Sequence, residues 1–242
     1  DNSEFVNQLK KLKPDLAIVA AYGKIIPKEL LNIPIYGFIN VHGSLLPAYR
    51  GASPIQNAIL NGDKETGVTI MKVDEQMDHG GVISKTKISI LSGDTFESLS
   101  QKLAISGANL LTKTIPDYIS GKLKPIEQND SEATYTEIIK KEEGRIDWSK
   151  SAKEIERMIQ AFYPWPTAWT LWDKKILKVL EASAVNGSGK KQGEVFLKNS
   201  ESAVGCGKNI LMIKKLQLEG GKVLSAKEFL NGHKDFVGNI LK

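Results

Sequence analysis

Short apolar runs alternate with helical periodicity through the first half of the chain. A buried-strand pattern occupies residues 15–20, and further strand patterns follow at 37–41, 67–73 and 81–90. Between and after these runs, apolar positions recur every three or four residues, as they do on an amphipathic helix. Strands that alternate with helices are typical of an α/β domain, so we predict a Rossmann-like first domain with a mainly parallel sheet.

The limits of this first domain are indicated by a helix start and by a polar stretch. Asp94-Thr-Phe-Glu97 has the spacing of a capping box and predicts a long amphipathic helix that closes a domain spanning residues 1–120. Residues 121–140 show little periodicity and are predicted to form a linker. The chain does not start with methionine and opens almost directly on a strand pattern, so we expect this domain to be incomplete at its N-terminus.

The second half has a different pattern, in which β-like runs are short and Gly-rich turns separate them. Capping boxes at Ser151–Glu154 and Ser225–Glu228 predict one helix before these runs and one after them. The β-like runs lie at residues 167–172, 175–184, 193–197 and 209–218. Many short strands with little helix are typical of a small barrel, so we predict an OB-like β-barrel domain over residues 141–242.

Amino-acid composition argues against a membrane protein, a disulfide-rich protein and a metalloprotein. The 242 residues are 41% hydrophobic and 25% charged, which is ordinary for a globular protein, and no apolar run is long enough for a membrane span. The chain shows no signal-peptide pattern, and we expect a cytoplasmic monomer with no membrane partner. One cysteine, Cys206, rules out an internal disulfide framework, and with only three histidines we expect no metal site.

The excess of positive over negative charge lies entirely in the second half. Residues 1–120 contain 12 basic and 12 acidic side chains, whereas residues 121–242 contain 21 basic and 16 acidic ones. A basic module joined to a neutral one suggests that the second half binds a polyanion such as a nucleic acid. The alternative is that the extra lysines only keep the domain soluble.

The candidate chemistry lies where predicted strands end. Asn40 and His42 are two residues apart on one strand, so their side chains leave the same face, and Asp78 follows the next strand pattern. In an α/β sheet, ligands bind beyond the carboxyl ends of the strands, so these loops should converge. An amide and an imidazole can stabilise the oxyanion formed when an amine attacks a carboxyl-level carbon. Asp78 could raise the imidazole pKa, fix its tautomer or pass a proton.

Three other interpretations of these residues stay open at this point. His42 could be a hydrogen-bonded structural residue. Ser44 with His42 and Asp78 could form a hydrolase triad, although no G-x-S-x-G sequence surrounds Ser44. Asp74, Glu75 and Asp78 could bind a hard cation, although the spacing is not that of an EF-hand, and a solvated acidic loop is the simpler interpretation.

Longer motifs carry a family resemblance. The string INVHGSLLPAYRGASPIQ at 39–56, followed by TGVTIM at 66–71 and MDHG at 77–80, resembles the folate-dependent formyltransferases. That resemblance implies a catalytic set of Asn40, His42 and Asp78, with 10-formyltetrahydrofolate as co-substrate and no metal. It also implies folate contacts at two places: the turn formed by Ser44, Leu45, Leu46 and Pro47, and the loop at Tyr22 and Gly23.

The second half resembles the tRNA-modifying members of the same family. The matching motifs are GRIDW at 144–148, FYPWP at 162–166 with Trp169, LQLEG at 216–220 and SAKEFLNGH at 225–233. This resemblance implies that the basic domain holds initiator methionyl-tRNA, with Lys140, Lys141 and Arg145 as candidate phosphate contacts. The implied reaction, used in translation initiation, formylates the α-amino group of the esterified methionine. The rivals are an N-formyltransferase for a nucleotide-linked amino sugar and an inactive, truncated relative that only binds RNA.

Overall fold

The chain forms two compact units. A computed structural model describes residues 2–187 and 190–242. The first unit runs to Ala58 and continues through Asp63–Leu91 and Ser98–Ile138. The second unit contains Ile59–Gly62, Ser92–Glu97 and Ile139–Lys242. No helix among the described residues is long and apolar enough to span a membrane.

The described residues from 2 to 138 contain four α-helices and six strands. The helices are α1 (Asn2–Leu12), α2 (Lys28–Leu31), α3 (Pro54–Asn61) and α4 (Phe96–Ile119). The strands are β1 (Ala17–Val19), β2 (Phe38–His42), β3 (Arg50–Gly51), β4 (Glu65–Lys72), β5 (Val82–Ser89) and β6 (Tyr135–Thr136). The four strands and the long helix that the sequence pattern predicts are all present.

The main sheet of the first unit is mixed, with strand order β1-β2-β4-β5. The α/β architecture is confirmed, but the strand directions differ from the mainly parallel prediction. Only β1 and β2 pair in parallel, whereas β4 runs antiparallel to both β2 and β5. The nine residues between β4 and β5 are too few for the crossover that parallel neighbours require. The alternating exposure of β5 is also that of an antiparallel strand with one solvated face.

Helix α4 covers the sheet of the first unit. Its buried residues recur on one face, at Leu99, Leu103, Gly107, Thr114 and Tyr118. At Gly107 the helix backbone comes so close to the sheet that an added Cβ would lie 3.1 Å from Val41 and 3.4 Å from Val68. The helix therefore packs directly on β2, the strand that carries the candidate site.

The segment predicted to be a linker is attached to the first unit. Within residues 121–138, β6 pairs with β3 in a two-stranded parallel sheet, with Arg50 opposite Tyr135 and Gly51 opposite Thr136. Ile126 also forms an isolated bridge to Val82. A linker at 121–140 stays a prediction, but much of this stretch is hydrogen-bonded to β3 and β5.

The second unit is an antiparallel sheet that closes on itself. Its helices are α5 (Ala152–Ala161) and α6 (Ala226–Gly232), and the predicted capping boxes at Ser151 and Ser225 are both formed. Its strands are β7 (Ala168–Trp172), β8 (Lys175–Val185), β9 (Val195–Lys198), β10 (Glu201–Gly205), β11 (Ile210–Leu218) and β12 (Val223–Ser225). The strand order is β7-β8-β11-β10-β9, and β12 pairs with β11.

The C-terminal residues join the two outer strands of this sheet. Backbone hydrogen bonds connect Lys242 to Leu171 of β7, and they connect Gly238–Leu241 to the Gly193–Val195 stretch that leads into β9. Both edges are thereby covered, which confirms the barrel-like second domain expected from the sequence.

Candidate functional site

Strand β2 positions the first two candidate residues. It lies between β1 and β4, with Asn40 opposite Val19 and Met71, and His42 opposite Thr69. The His42 side chain is buried, whereas Asn40 is half-buried. A central strand with hydrogen bonds on both sides is a rigid support, so both side chains have fixed positions.

The structure brings Asp78 to the same place. Its Oδ1 lies 3.3 Å from Asn40 Nδ2 and 3.6 Å from His42 Nδ1, and its Oδ2 accepts a 2.9 Å hydrogen bond from the Gly51 N–H. The three residues assigned from the sequence therefore lie together, with the Asp78 carboxylate close to both Asn40 and His42. Gly51 is a fourth contributor that the sequence analysis did not identify.

The tautomer of His42 is fixed by a backbone carbonyl and not by Asp78. Its Nε2 lies 2.9 Å from the carbonyl oxygen of Tyr49, which can only accept, so Nε2 carries the hydrogen. Nδ1 then faces the Asp78 carboxylate at 3.6 Å, which is longer than a hydrogen bond. Because Nε2 is hydrogen-bonded to Tyr49 and Nδ1 faces Asp78, the Asn40 amide, which has two hydrogens, is the better placed donor to an oxyanion.

The turn after β2 is held from inside. The Ser44 hydroxyl donates to the Ala48 carbonyl at 2.6 Å, and both Ser44 and Leu46 are fully buried. Thr69 of β4 donates to the Ser44 carbonyl and accepts from the Leu46 N–H. Ser44 and Leu46 therefore shape the turn and present no side-chain surface, whereas Leu45 and Pro47 are partly exposed.

The loop after β1 is open to solvent. Tyr22 is 54% exposed, and Gly23 has a φ of +68° with no atom near the position of a Cβ. A left-handed glycine lets the chain turn sharply next to an exposed aromatic ring. This loop could accommodate an aromatic ligand, but the structure shows no contact from it to the Asp78 carboxylate.

The alternative chemistries find no support in this geometry. The buried Ser44 hydroxyl is hydrogen-bonded to the Ala48 carbonyl and is therefore not available as a nucleophile. Burial raises the pKa of Cys206 to about 11, which disfavours a reactive thiolate. Among the described residues, no group of three His, Cys, Asp or Glu side chains has the arrangement of a metal site.

The candidate cations Lys140, Lys141 and Arg145 lie in the second unit. All three are exposed, and Lys141 lines a groove of about 670 Å³ together with Trp165, Trp169 and Lys178. The Arg145 guanidinium stands 6.0 Å from the centre of the Trp169 ring. The groove thus combines exposed aromatic surface with two lysines and with two glutamates, Glu142 and Glu219.

Comparison with known proteins gives the same family for both halves. A profile described as formyl transferase matches residues 1–115, and one described as formyl transferase, C-terminal domain, matches residues 138–234. The chain is 46% identical over its whole length to a methionyl-tRNA formyltransferase from Caldanaerobacter subterraneus subsp. tengcongensis, of which it covers 79%. It is 45% identical to the enzyme of that name from Myxococcus xanthus, over 95% of this chain and 74% of the relative.

A solved structure shows the same fold at lower identity. HypX from Aquifex aeolicus, in complex with tetrahydrofolic acid, has a TM-score of 0.72 at 20% identity, over 97% of this chain and 42% of HypX. The two sequence profiles together cover most of the chain, and the relatives exceed 40% identity over nearly all of it. The chain therefore belongs to the formyl transferase family.

Proposed function

We propose that this protein transfers the formyl group of 10-formyltetrahydrofolate to the α-amino group of methionine carried by initiator tRNA. The observation that carries the proposal is the shared carboxylate of Asp78, which lies within 3.6 Å of both Asn40 and His42. The relatives named methionyl-tRNA formyltransferase support the choice of substrates. We further propose that the protein acts as a monomer in the cytoplasm.

The reaction moves one acyl group and one proton. The amine nitrogen bonds to the formyl carbon, and the bond between that carbon and N10 of the folate then breaks. The amine loses one proton and N10 gains one, so no oxidant or reductant is required. The intermediate carries negative charge on the formyl oxygen, which needs a donor placed in advance.

Each residue of the set has a role that follows from its contacts. Asn40 uses one amide hydrogen on Asp78, which orients its side chain so that the other can meet the oxyanion. The Asp78 carboxylate takes the proton from the amine and delivers it towards N10. His42 faces Asp78 through Nδ1 at 3.6 Å, and its hydrogen bond to the Tyr49 carbonyl fixes the ring in that orientation.

The tRNA is assigned to the second unit. The exposed cations of the second unit bind the tRNA phosphates, and such contacts give affinity that does not depend on the base sequence. Lys140, Lys141 and Arg145 are our candidates because they are exposed beside a groove that presents Trp165 and Trp169. An aromatic groove next to cations can also stack an unpaired base.

The test is a formylation assay with two acceptors. We expect the protein to transfer a labelled formyl group from 10-formyltetrahydrofolate to methionyl-tRNA, with a KM that rises steeply with salt. Activity only on a nucleotide-linked amino sugar, with no salt dependence, would favour the sugar enzyme. Retention of tRNA without formylation would favour an RNA-binding protein. Asp78→Asn is the control that should abolish transfer while leaving tRNA binding intact.

A further inference from the structure

The backbone at Asp78 has a conformation that it would rarely adopt on its own. Its φ is +48°, in the left-handed region that residues other than glycine seldom enter. Its carboxylate must nevertheless reach Asn40, His42 and Gly51 at once. Bonds from outside the loop can hold the backbone in this uncommon conformation.

Gln128 supplies those bonds. Its Nε2 donates to the carbonyl oxygens of Asp78 at 2.9 Å and Gly80 at 2.8 Å. Its Oε1 accepts from Arg50 Nε at 3.1 Å and from Arg50 Nη2 at 3.0 Å. Because carbonyls only accept and a guanidinium only donates, the orientation of the Gln128 amide is unambiguous. Both amide hydrogens are used, so the side chain has one arrangement.

Arg50 fixes Gln128 from the opposite side. The arginine is 1% exposed, and its Nη2 also donates to Asp130 at 2.7 Å, while Nη1 donates to the Tyr135 hydroxyl at 3.2 Å. Burial opposes the charge, but the hydrogen bonds to Asp130 and Tyr135 outweigh it and raise the pKa of Arg50. A buried guanidinium that lost these partners would be strongly destabilising, so its position is fixed.

The residue after Arg50 contacts the other end of Asp78. Gly51 donates its N–H to the Asp78 carboxylate, while Arg50 reaches the Asp78 backbone through Gln128. Gly51 has a φ of +109°, and an added Cβ would lie 2.2 Å from the Thr136 carbonyl oxygen, so no other residue fits there. Two consecutive residues thus hold both the backbone and the side chain of Asp78.

We propose that Gln128, which is anchored on the buried guanidinium of Arg50, is a positioning residue that holds Asp78 so that its carboxylate meets Asn40 and His42. The inference rests on the proposed function, because it takes Asp78 as the group that moves the proton. Gln128 lies 50 residues from Asp78 in the chain.

The variant Gln128→Glu separates the two roles of this side chain, which accepts from Arg50 and donates to the Asp78 loop. A carboxylate still accepts from Arg50, but it cannot donate, so both bonds to the Asp78 loop are lost. We expect kcat to fall about 10–100-fold, because a small displacement of a reacting group has effects of this order. KM for folate and for tRNA should change less than about 3-fold, since neither substrate touches Gln128 in this proposal. Gln101→Glu, on the exposed surface of α4, makes the same charge change as a control.

A second variant and a second measurement separate positioning from charge and from folding. Gln128→Met has a similar length, is neutral and donates no hydrogen bond, so it should lower kcat as Gln128→Glu does. A melting curve for each variant shows whether the protein is folded. Hydrogen exchange of the Gly51 amide, measured by NMR, reports directly on its bond to Asp78, and we expect it to accelerate about 10-fold or more in Gln128→Glu.

These outcomes decide the proposal without depending on turnover alone. A folded Gln128→Glu protein with unchanged kcat overturns it, and so does unchanged Gly51 exchange. Loss of kcat in Gln128→Glu but not in Gln128→Met would assign the effect to charge and also overturn it. If the unmodified protein does not formylate methionyl-tRNA, the proposed function fails, whereas Gly51 exchange still tests the positioning.

Discussion

The first unit and the part of the second unit formed by residues 139–242 bury different kinds of polar group. The first unit buries His42, Arg50 and Thr69, and each of them is hydrogen-bonded. In the described part of residues 139–242, the buried polar side chains are hydroxyls of Thr167, Thr170 and Ser202. In these residues the charges lie on the surface, and 19 basic side chains outnumber 12 acidic ones.

This contrast follows from the different tasks that we propose for the two units. Stabilising a transition state needs dipoles that are fixed and shielded from water, so buried hydrogen-bonded groups are useful in the first unit. Binding a polyanion needs cations that release counterions, so exposed charges are useful in the second. Substitutions in one unit should therefore change kcat, and substitutions in the other should change affinity.

The largest effect is expected from Asn40→Ala in the first unit. Removal of one preorganised oxyanion donor should lower kcat about 10²–10³-fold. The dissociation constant for tRNA should stay within about 2-fold, because Asn40 lies in the first unit and the cations lie in the second. Single-turnover kinetics and a filter-binding titration measure the two quantities separately. An equal loss of rate and of tRNA affinity would contradict the division of labour.

The next effect is expected from combined replacement of Lys140, Lys141 and Arg145 by alanine. Loss of phosphate contacts should raise the KM for tRNA about 10–100-fold at physiological salt with little change in kcat, and should reduce the slope of log affinity against log salt by about 2–3. The matched control replaces Lys10, Lys11 and Lys13, three exposed lysines of the first unit. If the control variant weakens tRNA binding as much, the basic character of the second unit is not what binds tRNA.

Local sequence rules predict much of the fold. The capping boxes at Ser151 and Ser225 are formed as expected, because a hydroxyl and a carboxylate three residues apart satisfy helix N–H groups without help from the rest of the protein. The same rules missed β10, the short strand β12 and the two-residue strands β3 and β6. These strands exist because distant segments pair with them, and short runs such as Arg50–Gly51 have no periodicity to detect.

The candidate site shows a similar limit. The shared face of Asn40 and His42 follows from the two-residue period of a strand. Their proximity to Asp78 does not follow from the rule for parallel strands, because β4 runs antiparallel to β2 and ends beside Phe38 and Ile39. The loop after β4 returns along the sheet to bring Asp78 to Asn40. The contact of His42 with the Tyr49 carbonyl and the anchoring of Gln128 on Arg50 depend on long-range packing. The positive φ at Gly51 could not be predicted from the sequence, because the presence of a glycine does not show whether its backbone conformation needs one.

A smaller effect, on stability, is expected at the helix caps of the second unit. Ser151→Ala and Ser225→Ala should each lower the free energy of unfolding by about 0.5–2 kcal/mol, the usual cost of losing an N-cap hydroxyl. Ser151→Thr and Ser225→Thr keep the hydroxyl and serve as controls. Urea titration gives the free energy, and kcat should stay unchanged in all four variants. A loss of kcat at constant stability would show that the second unit contributes to chemistry.

The smallest effect is expected at His79 in the first unit, and it depends on pH. The hydrogen bond that His79 Nδ1 donates to the Asp74 carboxylate at 2.6 Å raises the pKa of His79 despite partial burial, and Asp130 adds attraction while Arg50 opposes it. A raised pKa means that the folded state binds the proton more tightly, so this stabilisation is complete below the unfolded pKa of about 6.5 and is lost as pH rises through the folded value. The free energy of unfolding of the protein minus that of His79→Asn should therefore decrease from pH 6 to pH 8, by about 0.2–1 kcal/mol, as for a surface ion pair. Urea titrations at both pH values measure this difference, and an increase with pH would show that His79 is neutral in the folded state.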